Sequence, residues 1–177
     1  TTVTTFLLAS GFMKQVRAMG REKTTHGVSP VFFGIATVFI FTLLWHGFSN
    51  PDGPQMAIVF TGGVLFPLHV AVLAHINRYG SSRERGIAGC ALLLVAVMPF
   101  LVSNGPTLSV IWLVVACMVF ASFDQPRTMW QRLKRGESNE ALSVWFVVTQ
   151  VTAVTSRLAY AVAMRDPLLL FLNGGLA

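Results

Sequence analysis

Seven apolar runs, at residues 1–13, 30–48, 54–76, 86–102, 107–123, 142–164 and 167–177, take up most of this sequence. A bilayer core needs about 20 predominantly apolar residues from a crossing helix, and the five inner runs approach or reach that length. Only 11% of the residues are charged, against about a quarter in a soluble domain. Little of the chain can therefore form a solvated surface. The expected fold is an all-α membrane protein, with the two short outer runs raising the expectation that the natural chain extends past both ends.

The charges between the runs set an orientation. Of 13 Lys and Arg, four fall in the first connector (Lys14, Arg17, Arg21, Lys23), three in the third (Arg78, Arg83, Arg85) and four in the fifth (Arg127, Arg132, Lys134, Arg135). The second and fourth connectors, 49–53 and 103–106, have none. Seven crossings put connectors one, three and five on one side, and positive charge marks that side as cytoplasmic. The N-terminus is then expected outside and the C-terminus in the cytoplasm, with the cell membrane the expected location. The net charge of +6 is accounted for by these connectors facing anionic lipid rather than by a nucleic-acid surface, which would need exposed aromatic residues interleaved regularly among the basic ones.

The two ends of the chain carry one pattern twice. A basic connector, Gly27-Val28-Ser29, an apolar run, a turn at 49–53 and Thr61-Gly62-Gly63 recur as a basic connector, Ala141-Leu142-Ser143, an apolar run, Arg165-Asp166-Pro167 and Asn173-Gly174-Gly175. Aligning Ser29 with Ser143 also lays Asp52 on Asp166, and Thr61 on Asn173 after a short gap. The run at 86–102 has no counterpart and reads as a connector helix. One intervening helix leaves the two units parallel, related by an axis along the membrane normal. The expected organisation is 3+1+3: a three-helix repeat at 1–79, a linker at 80–105 and a second repeat at 106–177.

These residues resemble the SWEET and PQ-loop repeat transporters. Gln125-Pro126 is similar to the proline-containing motif at the cytoplasmic end of that family's fifth helix. Gln131-Arg132-Leu133-Lys134, Ser138 and Leu142-Ser143 resemble its basic connector, and Leu172-Asn173-Gly174-Gly175 resembles the asparagine motif of its seventh helix. The first half matches more loosely, through residues 22–29 and Asn50-Pro51-Asp52-Gly53. The resemblance implies a transporter working by alternating access. Where sugar-carrying members place an asparagine and a tryptophan this chain has Thr61 and Arg157, so the implied solute is small and polar, sugar-like or carboxylate-bearing.

Arg157 is the most informative candidate. An arginine within a membrane helix faces a polar cavity or a partner, or else snorkels outward. It shares a helix face with Ser143, Gln150 and Tyr160. At about 1.5 Å per residue, Arg157, Thr61 and Asn173 each lie about 10 Å below the outer end of their helices. Thr61, Gln150, Arg157, Tyr160 and Asn173 are thus the expected substrate-binding set, although Thr61 and Asn173 with their glycines also suit plain helix packing. Trp45 reads as a gate or as an aromatic-belt residue, and Pro67 and Pro126 as hinges or static kinks. His69 reads as a proton carrier or a packed neutral ring, and Asp124 as a proton-coupling carboxylate or a local partner of Arg127. Cys90 and Cys117 read as small packing residues.

The sequence has no phosphate loop, no His–Glu metal motif, no Gly-x-Ser-x-Gly and no carboxylate cluster, so no enzyme, metal or cofactor is expected. The expected partners are the bilayer, a small polar solute and a further copy or membrane subunit. The alternative is a non-transporting subunit or receptor that keeps the fold and docks a protein or lipid. Single cysteines at Asn50 and Asn104 should react with an impermeant thiol reagent outside intact cells, and one at Ser138 should not. Labelling of Ser138 from outside would overturn the seven-crossing arrangement.

Overall fold

The structure, a computed structural model, describes residues 2–49, 53–104, 107–137 and 141–164, with the backbone alone for 103, 104, 107, 108, 154 and 156–164. Every regular element among them is helical. The helices are α1 (Thr2–Glu22), α2 (Pro30–Phe48), α3 (Met56–Tyr79), α4 (Ser82–Asn104), α5 (Thr107–Ser122), α6 (Asp124–Lys134) and α7 (Val144–Met164). Four stretches are long and apolar enough to cross a membrane: Pro30–Phe48, Met56–Tyr79, Ser82–Val102 and Ser109–Lys134, the last running from α5 into α6. The expected seventh segment at 167–177, with Asp166, lies outside the described residues, as does Asp52.

Three connectors expected as loops are largely helix. The apolar stripe of α1 does not stop at Lys14: Leu8, Phe12, Gln15 and Met19 are all buried at three- and four-residue spacing. Lys14, Arg17 and Arg21 therefore project from the opposite face of a continuing helix. They also make α1 too polar to count among the four apolar stretches. The helix ends at Lys23, whose left-handed φ of 52° accompanies a bond from its N–H to the Met19 carbonyl. Between α3 and α4 only Gly80 and Ser81 remain. The fifth connector folds into α6, burying Gln125 and half-burying Thr128, Met129 and Arg132 on one side.

In the packing, α2 contacts α3, α4 and α5, α3 also packs on α1, and α1 on α7. Phe12, Met19, Phe33, Leu65, Val72, Leu73, Ile76 and Phe146 form the buried core. The outward faces are equally apolar. Leu113 and Phe120 on α5 are 65% and 77% exposed, and Leu93 and Phe100 on α4 are 69% and 68% exposed. Water would not tolerate so continuous an apolar surface; acyl chains would. Cys90 and Cys117 are on these exposed faces rather than in the packing, because a small weakly polar thiol suits a lipid-facing position as well as a core.

Two glycines set the closest approaches. A Cβ on Gly62 would lie 2.8 Å from Leu44 Cβ, so α2 and α3 touch backbone to side chain there. A Cβ on Gly11 would collide with Thr149 Oγ1 and come within 3.0 Å of Thr149 Cβ. That contact joins α1 to α7. Gly11→Ala should lower stability by about 1–3 kcal/mol through overpacking, read as a fall in the melting temperature of the purified protein. Adding Thr149→Ala should recover most of the loss, and an unchanged melting temperature in the single variant would refute the contact.

Candidate functional site

Two buried glutamines tie the early half of the chain to the late half. Gln15, fully buried on α1, donates from Nε2 to the Ala141 carbonyl at 2.6 Å and accepts at Oε1 from the Ser143 N–H at 2.9 Å. Gln125, in the first turn of α6, donates to the Gly27 carbonyl at 2.6 Å and accepts from the Ser29 N–H at 2.7 Å. Each amide pairs with a carbonyl and with the N–H two residues later. The backbone segments they hold are Gly27-Val28-Ser29 and Ala141-Leu142-Ser143, the two that the sequence pattern equates.

Each serine then opens a helix. Ser29 Oγ accepts from the Phe32 N–H at 3.0 Å, and Ser143 Oγ from the Phe146 N–H at 3.4 Å. A serine cap contributes about 1 kcal/mol. The Ser29 hydroxyl proton goes to the Asp124 carboxylate, which also sits favourably in the first turn of α6. Asp124 is thus engaged across the chain rather than with Arg127. The ion pairs among the described residues run from Arg21 to Glu22 and from Arg132 and Arg135 to Glu137.

The helices so held enclose a cleft of about 290 Å³. Leu8 and Phe12 of α1, Phe32, Ala36, Phe39 and Ile40 of α2, Leu65 and His69 of α3, and Met118 and Ser122 of α5 line it. Gln125, Pro126 and Met129 of α6 and Phe146, Val147, Gln150, Val151 and Thr155 of α7 complete the wall. In that wall Phe12 meets Phe146 at 5.1 Å and, behind it, Phe33 at 6.1 Å, both edge to face. The His69 ring lies 4.1 Å from that of Phe12. His69 is 4% exposed, and its Nδ1 is 2.8 Å from the Leu65 carbonyl of its own helix. Mostly apolar walls with a few convergent polar groups are the usual make-up of a small-molecule site.

The expected site residues divide. Gln150, His69 and Pro126 come together on the cleft. Thr61 does not join them: it stands 3.2 Å from Thr5 Oγ1 and donates to the Ala57 carbonyl, so it joins α1 to α3. Trp45 stacks on Phe41 with ring centroids 6.4 Å apart, away from the cleft lining. Pro67 is exposed within an unbroken α3, while Pro126 lies at the break between α5 and α6, where it cannot donate to the Ser122 carbonyl. Arg157 and Tyr160 are on α7, but their side chains lie outside the described residues, as does all of Asn173. Sequence reasoning missed Gln15, Ser122, Phe12 and Phe146. Gln15 had one legible signal, an amide continuing the apolar stripe of α1.

A second recess, of about 490 Å³, opens at the basic end among Thr25, His26, Tyr79, Arg83, Asp124 and Arg132. Its charges of both signs contrast with the uncharged lining of the cleft. Gln15→Leu or Gln125→Leu should each cost about 2–3 kcal/mol, from two lost bonds and two stranded backbone groups. Thermal unfolding of the purified variants measures this, and a loss confined to one variant would break the equivalence of the two bonds.

No protein-family model, curated protein or solved structure matches the chain.

Proposed function

We propose that the chain is a SWEET-like, PQ-loop-repeat transporter that moves a small polar solute through the cleft by alternating access. On this reading residues 1–79 and 106–177 are parallel three-helix units about the linker 80–105, with the basic helix ends in the cytoplasm. The observation that carries it is the reciprocal glutamine pairing, in which each unit's amide holds the helix entry of the other. Two units derived from one repeat and pinned by equivalent bonds are the arrangement from which one can rock against the other around a central site.

The energetics suit such a motion. A hydrogen bond contributes about 1 kcal/mol net, so the four bonds of the two glutamines hold the basic end with a few kcal/mol. That is within the range by which a bound solute shifts a two-state equilibrium. Gln150 and His69 supply polar contacts, and Gln125 links the cleft wall to the bond that would have to open. A carboxylate-bearing solute, were one carried, would need Arg157, since a guanidinium clamps a carboxylate bidentately.

Proteoliposomes carrying the protein should take up at least one small solute from a panel of sugars, alcohols, amino acids and organic acids, saturably and above protein-free vesicles. Val151→Trp should reduce that uptake by about tenfold or more. Val151 lines the cleft yet is 61% exposed, so the larger ring obstructs the site without burdening the core. If an acidic solute of the panel is taken up, Arg157→Leu should abolish that uptake and leave neutral solutes unaffected, with partial rescue by Arg157→Lys, which lacks the planar fork. Absence of uptake across the panel would replace transport by the reading of a subunit or receptor that docks a partner.

A further inference from the structure

We propose that the cleft selects a neutral solute with a largely apolar body and one hydroxyl or N–H donor, and that His69 is the residue that reads the donor. The inference rests on the reading of the cleft as the solute site and names the class of solute. It starts from a proton. The Leu65 carbonyl can only accept, so the 2.8 Å contact to His69 Nδ1 requires that Nδ1 carry hydrogen. In a neutral ring Nε2 is then an acceptor, and among the described residues nothing donates to it. Leaving a buried acceptor unpaired is costly, and His69 is 4% exposed on the wall of the cleft.

The surroundings define the remainder of the ligand. The described lining contains no Asp, Glu, Lys or Arg, so a charged solute would give up its hydration without a compensating partner there. Ser122 spends its proton on the Met118 carbonyl at 2.8 Å, and Gln125 already makes two bonds to backbone. Among the described residues nothing pairs with the Gln150 amide, which leaves it for a second polar contact. A volume of about 290 Å³ is at the low end for small-molecule sites, which favours a body the size of one ring. Sugars, with hydroxyls on every side, would leave most of them facing Phe12, Phe39 and Phe146.

The test uses the full chain in lipid nanodiscs and three probes that share a phenyl ring and a two-carbon side chain: 2-phenylethanol, its methyl ether and phenylacetate. Binding is measured by saturation-transfer NMR against protein-free nanodiscs, which removes partitioning into lipid. The alcohol should bind about tenfold more tightly than the ether, the effect of one hydrogen bond, and phenylacetate more weakly than either. His69→Phe keeps a ring against Phe12 and removes the acceptor. It should weaken the alcohol about tenfold and leave the ether unchanged.

Equal binding of alcohol and ether by the wild type, tightest binding of phenylacetate, or no binding of any probe would each overturn the proposal before any variant is made. Retention of the alcohol preference in His69→Phe would overturn it as well. The transport reading fails separately. Donor selectivity at His69 without solute uptake removes transport and keeps the site, whereas uptake blocked by Val151→Trp, with alcohol and ether bound equally, removes only the role of His69.

Discussion

Four hydrogen bonds from two buried amides hold the basic end of this bundle together. A glutamine side chain carries a donor and an acceptor spaced much like those of a peptide unit, so it can pair with a carbonyl and the N–H two residues on. Gln15 and Gln125 do this at the entries to α7 and α2. Those entries are short non-helical stretches whose polar groups would otherwise be buried without partners. Once paired, they hold Ser29 and Ser143 where each can cap a helix, and they direct Phe33 and Phe146 into the core. The aromatic contacts of the cleft wall, and therefore its shape, follow from that registration.

The seam between α1 and α7 shows how much depends on small residues beside those amides. Gly11 lets α7 approach, with Thr149 filling the space where a side chain would be. One turn away Trp145 donates to Ser10 Oγ at 3.2 Å and lies under Lys14 Nζ at 4.5 Å. Polar, cationic and aromatic contacts thus follow each other along one helix pair. In lipid, where apolar association gains little, close backbone approach and hydrogen bonding are what hold helices together.

Much of the fold was legible in the sequence because it depends on length and polarity. The apolar runs at 30–48 and 54–76 became α2 and α3 with little change in their bounds, and Ser29 before Pro30 marked a helix start that the structure caps in that way. The basic connectors misled because a charge every three or four residues is compatible with a loop and with the outer face of a helix alike. Only burial of Gln15 and Met19 opposite Lys14 and Arg17 distinguishes them. Residues of the cleft lining were legible where they are polar and lie inside an apolar run, as His69 and Gln150 do. Thr61 met the same criterion and instead bonds Thr5 on a neighbouring helix, a choice set by which face of α3 meets α1.

The two glutamines match in chemistry but not in what carries them. Gln15 sits in the middle of a continuous helix. Gln125 stands just past the junction at Phe123, where α5 ends in a tightened turn (the Phe123 N–H reaches the Phe120 carbonyl at 3.3 Å) and Pro126 leaves the next backbone bond unmade. One amide is therefore mounted on a stiff rod and the other on a joint. Any load that separates the basic ends would be taken up first as bending between α5 and α6, so the bond at Gln125 is the compliant one and the bond at Gln15 the anchor. A pair that looks symmetrical would yield in a fixed order.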